Sequence, residues 1–343
     1  MSINRIKICG EALNLPTFKP LEGINRTIYE EVIKSSKKYY YDRSINATKL
    51  KEFLSLGYND YERRQKLALE ISKGILQRHE KRDLPKIASK LATLERDLRE
   101  IKPSQRDHIC HSLLTFLVGY YLIKKLNLYD NNFLFEWKLA ALLHDVGYVL
   151  EITDKLNENY IKQYEKDLLM GDKIEFKPQS GHWLSQLLNL YVKNPRQKRN
   201  TLNVINKKFK KWTLPIDGKK IFHAMINGGK FDDGRQRTDH GITSAILVMK
   251  AVDKKYEMHN PEQKCDRYNP WYFKNLKDQI ANSCAAIYLH NLKYDSFLWD
   301  FNKFPLATLL KLCDELQDWT RFSGSELNPT SPKDYDIRLR MES

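Results

Sequence analysis

Two stretches of the sequence are apolar around nearly the whole circumference of a helix. They are "SLLTFLVGYYLI" at 112–123 and "FEWKLAALLHDVGYVL" at 135–150. A surface helix needs only one apolar face, so these stretches predict central helices packed inside a larger bundle. A chain of 343 residues with 41% hydrophobic content is long enough to bury such a core.

The rest of the chain is also helical in pattern. The stretches 61–82 and 84–101 carry apolar residues at three- and four-residue spacing among many charged residues, which is typical of amphipathic surface helices. Further helices are predicted at 182–192, 240–252, 279–292 and 305–321. Long strands with alternating apolarity are not evident, so the predicted fold class is all-α.

Positive charge is concentrated in one part of the chain. The formal net charge is +15, and residues 193–220, the basic segment, contain ten Lys and Arg against a single acid, Asp217. Such a segment attracts polyanions over long range. A solvated surface without a partner is an equally good interpretation, because charge blocks are common on protein surfaces.

Cysteine usage and hydropathy predict a cytoplasmic protein without a membrane span. The five cysteines are widely spaced and form no C-x-x-C pair, so neither a disulfide framework nor a cysteine zinc site is indicated. The longest uncharged apolar run, 109–123, is shorter than the roughly 20 residues that a spanning helix needs. The first residues lack the apolar region of a secretion signal.

Histidines and aspartates occur where the predicted core helices begin, end or run. A buried imidazole or carboxylate needs a hydrogen-bond partner or a metal ion, so several of them in apolar helices predict a shared polar site. His144 and Asp145 are adjacent in "LLHDVGY", and they suit two of several ligands to one ion. The full set is His111, His144, Asp145, His182, His240, His290 and Asp314.

Four of these residues follow a familiar order. The sequence His111, then His144-Asp145, then Asp314 resembles the H…HD…D pattern of the HD-domain superfamily of metal-dependent phosphohydrolases. The surrounding stretches "HICHSLLTFLVGYYL", "ALLHDVGY" and "LLKLCDELQDWTR" resemble the helices that carry that pattern. The likeness spans roughly 102–323.

The resemblance implies an HD-type helical bundle at 102–330, with an N-terminal helical extension at 1–101 and a short tail at 331–343. It implies one or two divalent metal ions, of Mn, Fe, Ni, Co, Zn or Mg, with His111, His144, Asp145 and Asp314 as ligands. His182, His240 and His290 lie in the right region to hold a second ion. The implied reaction is hydrolysis of a phosphoester or phosphoanhydride by metal-activated hydroxide, in a nucleotide or cyclic nucleotide.

Other residues have proposed roles with a structural alternative beside each. His182, His240, Asp239 and Arg321 are catalytic candidates, the histidines as proton donors and Arg321 as a phosphate contact. The alternative for His182 and His240 is a place at a helix start without a chemical role, and the alternative for Arg321 is a surface pair with Asp318. His108, one turn before His111, is the alternative first ligand.

Two features of the family are absent. Many relatives have a lysine where this chain has Tyr148, and the G-Y-P motif of relatives that degrade cyclic di-GMP is missing. His79, His223 and His259 have charged or loop surroundings, which predicts structural or solvent roles.

A second class of function stays open from the sequence. The basic segment suits nucleic acid, so a nucleic-acid-binding protein with a structural His/Asp metal site, or an HD-type nuclease, is the alternative to an enzyme acting on an anionic small molecule. The sequence assigns neither an oligomeric state nor a particular substrate.

Overall fold

The computed structural model describes thirteen ranges of the chain. These are residues 6–12, 24–38, 45–56, 60–77, 84–101, 107–128, 130–167, 179–189, 201–227, 238–258, 274–292, 300–317 and 335–341.

Within these ranges the chain forms thirteen helices and two strands. The strands are β1 (Ile6–Ala12) and β2 (Tyr335–Met341). The helices are α1 (Ile24–Lys38), α2 (Ala47–Ser55), α3 (Tyr61–Gln77), α4 (Leu84–Ile101), α5 (His108–Lys125), α6 (Asn131–Leu143), α7 (Tyr148–Asp167), α8 (Gln179–Asn189), α9 (Thr201–Lys211), α10 (Gly218–Ile226), α11 (His240–Met258), α12 (Lys274–His290) and α13 (Pro305–Leu316). The predicted helical class is confirmed.

The contacts divide the chain into two compact units. Unit 1 comprises Met1–Leu142 and Leu298–Ser343, and unit 2 comprises Leu143–Phe297. The domain boundaries expected from the sequence, at 101 and 330, stay a prediction.

Unit 1 is built around α5, which packs against α1, α3, α4 and α13. Helix α5 is buried along almost its whole length, as the apolar stretch at 112–123 predicts. Asp107 caps its first turn by accepting hydrogen bonds from the backbone amides of Ile109 and Cys110.

The side chain of Trp137 on α6 packs directly on α5 because Gly119 has no side chain. The indole of Trp137 is fully buried, and its Nε1 donates to the carbonyl oxygen of Phe116 at 3.1 Å. A Cβ atom built on Gly119 would stand 1.9 Å from the Trp137 ring. A glycine is therefore required at position 119 for the two helices to pack in this way.

The two strands were not predicted from the sequence. They pair antiparallel, with Ile6 opposite Met341 and Ile8 opposite Leu339. The alternation of apolar and polar residues in "YDIRLRM" is the signal that identifies β2, although it extends over only seven residues.

Unit 2 is built around α11 and α12, with α9 packed on α12 and with α7, α8 and α9 packed on α11. Both central helices bury nearly every described residue from Gly241 to Met249 and from Ser283 to His290. Helix α10 contacts α8 and α9. The helices expected at 182–192, 240–252 and 279–292 are found here as α8, α11 and α12.

The helix predicted through 135–150 is wrong in one respect. Helix α6 ends at Leu143, residues 144–147 form a turn, and α7 begins at Tyr148. His144 and Asp145 therefore lie in a turn and not on a continuous helix. The backbone amide of Tyr148 donates to the carbonyl oxygen of Asp145 at 2.9 Å, which closes that turn.

Two smaller expectations concern membranes and cysteines. Among the residues described, no helix has the length and apolar character that crossing a membrane requires. Among the described residues, Cys110, Cys284 and Cys313 are free and buried.

Candidate metal centre

The turn at 144–147 is fixed against the first turn of α11 within unit 2. The backbone amide of Gly147 donates to Ser244 Oγ at 2.8 Å. A Cβ atom on Gly147 would lie 2.6 Å from the backbone nitrogen of Ser244 and 2.8 Å from the carbonyl oxygen of His240. A residue without a side chain is needed here for His144 and Asp145 to approach the start of α11.

His240 is the first residue of α11 and is held at two points by Glu151 of α7. Glu151 Oε2 accepts from the His240 backbone amide at 3.1 Å and from its Nδ1 at 2.6 Å. Asp239 precedes it as the N-cap: its carboxylate accepts from the Ile242 amide at 2.9 Å and from Asn291 Nδ2 at 2.7 Å. Asp239 thus serves the helix start in this structure.

His290 reaches the same place from the end of α12. Its Nδ1 lies 2.7 Å from the carbonyl oxygen of Ile287, and since a carbonyl can only accept, Nδ1 is the donor. Gly241 allows this approach, because a Cβ atom there would lie 3.0 Å from the His290 ring and 2.9 Å from the Ile287 carbonyl oxygen.

These elements bring four side chains together, which we call the histidine–aspartate cluster: His144, Asp145, His240 and His290. Asp145 Oδ1 lies 3.3 Å from His240 Nε2 and 3.7 Å from His290 Nε2, and Asp145 Oδ2 lies 3.4 Å from His144 Nε2. One ligand atom from each of His144, Asp145 and His290 falls within 4.8 Å of the others. His144, Asp145 and His290 are buried, so the cluster is largely withdrawn from water.

The hydrogen bonds of His240 and His290 determine which of their ring nitrogens carry protons. His240 and His290 each direct Nδ1 at an oxygen, to which it donates, so in its neutral form each ring carries a lone pair on Nε2. These two Nε2 atoms lie 3.2 Å apart. Two lone pairs at this separation repel unless a proton or a cation lies between them, and Asp145 adds negative charge at the same point. This set of ligand atoms, imidazole nitrogens and a carboxylate oxygen, fits a divalent metal ion.

Electrostatics around His240 favour positive charge at this point. Burial alone lowers the pKa of His240, but the hydrogen bond to Glu151 and the charges of Asp145, Glu151 and Asp239 outweigh burial and raise that pKa to about 9. Burial raises the pKa of Glu151, while its bonds to His240 and Lys155 lower it to about 2. The surroundings of His240 therefore stabilise a cation.

Unit 1 holds the other two expected ligands as a pair. His111 on α5 and Asp314 on α13 meet with Nε2 and Oδ1 2.9 Å apart, and Gln317 Nε2 lies 3.4 Å from His111 Nε2. His111 is buried. The packing of α5 against α13 thus brings together two residues that are far apart in the sequence.

His108, the alternative first ligand, has a different partner. Its Nδ1 lies 2.5 Å from Glu95 Oε1, and the same oxygen accepts from the His108 backbone amide at 3.0 Å. Gln65 Nε2 donates to the other Glu95 oxygen at 3.4 Å. In unit 1 it is His111, and not His108, that pairs with the expected ligand Asp314.

Two glutamates that bind these histidines were not predicted from the sequence. Glu95 with His108, and Glu151 with His240, form the same arrangement: a histidine at the first helical position, an aspartate N-cap before it, and a buried glutamate that binds both the backbone amide and Nδ1. The repeated Asp-His pair at 107–108 and at 239–240 was the available signal.

The remaining candidates lie elsewhere. His182 is exposed on α8, with its Nε2 3.0 Å from Gln186 Nε2, and is not a member of the histidine–aspartate cluster described above. His223 is exposed on α10. Arg321, Asp318, His79 and His259 lie outside the described residues. The proposed roles of His182 and Arg321 stay predictions.

Comparison of the chain with known protein families, with curated proteins and with solved structures finds no match.

Glu151 is expected to tune the cluster without touching an ion. Glu151→Gln keeps the size of the side chain but removes the charge that makes His240 a stronger ligand. Loss of such an outer partner typically weakens metal binding 10- to 100-fold, and we expect a loss in that range. Calorimetric titration of the metal-free protein with Ni²⁺ measures it.

The matched control is Glu158→Gln, on the same helix, where the glutamate pairs with Lys162 at the surface. Equal Ni²⁺ affinity in the wild type and in Glu151→Gln would show that Glu151 has no influence on metal binding.

Proposed function

We propose that this protein is a metal-dependent phosphohydrolase whose histidine–aspartate cluster binds a divalent ion. One observation supports the proposal above the others: three imidazoles and one carboxylate converge in a largely buried place, with the Nε2 atoms of His240 and His290 3.2 Å apart beside Asp145. A divalent cation can take the place of the proton that His240, with its raised pKa, otherwise holds between those nitrogens, and it neutralises the carboxylate.

The ligand chemistry narrows the choice of ion. Imidazole nitrogens suit Zn, Fe, Ni and related transition metals, whereas an all-oxygen set would favour Mg or Ca. A divalent ion held by these residues makes water a stronger nucleophile near neutral pH and offsets charge on phosphoryl oxygens.

Residues around the cluster offer contacts for an anionic substrate. Lys155 Nζ lies 2.5 Å from Glu151 Oε1, and its side chain is 35% exposed. Tyr148 is partly exposed, and its ring lies edge-on to His240 with centroids 5.4 Å apart. Lys155 thus places a cation beside the glutamate that binds His240, in a chain that lacks the lysine many HD-type relatives carry at the Tyr148 position. We assign Lys155 the role of binding a phosphoryl oxygen.

His111 and Asp314 belong to the proposal through the order of residues in the sequence. The resemblance to HD-type phosphohydrolases assigns them to the same ion as His144 and Asp145. That assignment is a prediction from sequence, and unit 1 shows that His111 and Asp314 are held as a pair.

Hydrolysis of phosphate compounds tests the proposal. The purified protein, loaded in turn with Mn²⁺, Ni²⁺, Co²⁺ and Mg²⁺, is incubated with nucleotides, cyclic nucleotides and short single strands, and the products are resolved by mass. We expect cleavage of a phosphoester or phosphoanhydride bond that depends on the ion and is absent in Asp145→Asn.

His223→Ala serves as the control, because that histidine is exposed in unit 2 and should leave turnover unchanged. Tight metal binding without turnover of any phosphate compound would instead assign the cluster a structural role.

A further inference from the structure

The basic segment forms a groove in the part that the structure describes. Lys207, Lys208, Lys210 and Lys211 on α9 and Lys219 on α10 line a groove of about 930 Å³ in unit 2. Among the described residues, the acids that line it are Asp217 and Asp278. Positive charge therefore exceeds negative charge within a concave surface, where it attracts anions more strongly than on a convex surface.

Helix α9 exposes three of its lysines because its opposite, apolar face is buried. Leu202, Ile205 and Phe209 are buried, which leaves the opposite face to Lys207, Lys210 and Lys211. Those three are exposed and follow i, i+3, i+4 spacing, so they stand on one side of the helix. Lys207 and Lys211 are about 6 Å apart along the helix axis.

The two aspartates are weak competitors for those lysines. Asp217 caps α10: its Oδ1 accepts from Asn206 Nδ2 at 3.1 Å and from the Lys219 amide at 3.0 Å. Asp278 lies 3.6 Å from Lys208 Nζ, and its side chain is 78% exposed. Lys208 is only 12% exposed, but the Asp278 carboxylate is open to water and the contact is long, so an incoming phosphate can replace Asp278.

The lining favours a polymer backbone over a small nucleotide or a membrane. Small-molecule sites are lined mainly by apolar and aromatic side chains, whereas this lining combines lysines with Asn203, Asn206 and Asn282 and includes no aromatic residue among those described. A membrane-binding helix needs several exposed apolar residues, but Leu202, Ile205 and Phe209 of α9 are buried and Val204 is only partly exposed. Ammonium and amide groups without a stacking surface bind phosphates independently of base identity.

From these observations we infer that the groove formed by α9 and α10 binds the phosphodiester backbone of nucleic acid, without sequence preference. The inference does not depend on the proposed hydrolase, since the described groove lining contains no member of the histidine–aspartate cluster. Its test is run with a chelator present, so a failure of metal binding cannot affect it.

The test compares two variants that lose the same charge. Lys207→Gln, Lys210→Gln and Lys211→Gln are combined in one variant; Lys51→Gln, Lys66→Gln and Lys73→Gln, three exposed lysines of α2 and α3, form the control. The probe is a fluorescein-labelled oligothymidylate of about 16 nucleotides. Fluorescence anisotropy at several salt concentrations gives the affinity and its salt dependence, and circular dichroism checks that each variant is folded.

We expect the groove variant to bind at least about tenfold more weakly at low salt. The slope of log affinity against log salt should fall by about 2, because three fewer phosphates are neutralised on a single strand. The control should bind like the wild type, and Asp278→Asn, which removes an acid from the groove, should bind about two- to threefold more tightly.

Three results would overturn the inference. One is an equal loss in both triple variants, which would mean that net charge alone drives binding. Another is stronger binding to vesicles containing phosphatidylserine than to the oligonucleotide. The third is equally strong competition by ATP at the same phosphate concentration, which would identify a nucleotide site.

Discussion

Asp145→Asn is expected to abolish tight metal binding while the protein stays folded. Asparagine matches aspartate in shape but lacks the charge that faces the Nε2 atoms of His240 and His290. Without it, the imidazoles alone must hold a divalent ion in a buried place. We expect affinity for Ni²⁺ or Mn²⁺ to fall at least about 100-fold, beyond what loss of an outer partner costs.

Metal analysis after dialysis, together with calorimetric titration, measures that loss. Asp278→Asn makes the same chemical change at an exposed position of unit 2 and should retain the wild-type metal content. If Asp145→Asn binds metal as tightly as the wild type, the histidine–aspartate cluster is not the metal site. His111→Ala in the same assay decides whether the His111–Asp314 pair contributes to the ion.

Trp137→Ala is expected to destabilise unit 1 by about 3 to 5 kcal/mol, the range found when a large buried aromatic side chain is removed. Trp137 is fully buried against Gly119 and also donates to the carbonyl oxygen of Phe116. Urea unfolding followed by circular dichroism gives the free energy of unfolding of each variant.

The close contact at Gly119 predicts a change of sign in a double variant. In the wild type, Gly119→Ala places a methyl group 1.9 Å from the indole and should cost about 1 to 3 kcal/mol. In Trp137→Ala that obstacle is gone, so the better helix propensity of alanine should stabilise the protein by up to about 1 kcal/mol. The same sign of effect in both backgrounds would contradict the packing described for α5 and α6.

The sequence predicted helices well where their residue pattern carried the information. The amphipathic stretch at 84–101 coincides with α4, and the stretch that is apolar on all sides is the buried α5. The prediction of one helix through 135–150 is wrong at His144, because a run of apolar residues does not show where a helix is interrupted. The interruption depends on Gly147 meeting Ser244, a contact between residues 97 positions apart.

Parts of the site were predictable for a similar reason. The sequence identified four members of the site as polar residues in apolar surroundings: His144, Asp145, His240 and His290. The structure brings these four residues together in unit 2. Glu151 was not identified from the sequence, since a glutamate in "YVLEITDKLNENY" resembles any charged residue on a helix face. Its role follows from the way α7 packs on α11, which no local pattern encodes.

The separation of these residues along the chain determines when the cluster can form during folding. The contacts that assemble it join Gly147 with Ser244, Glu151 with His240, and His240 with His290, across 97, 89 and 50 residues. Closing loops of this length has an entropic cost that local helix formation does not have, so these contacts arise late. A newly made chain therefore has its helices before it has a place for an ion. An ion that binds only the completed cluster stabilises the final, docked state of α7, α11 and α12 in preference to every earlier one.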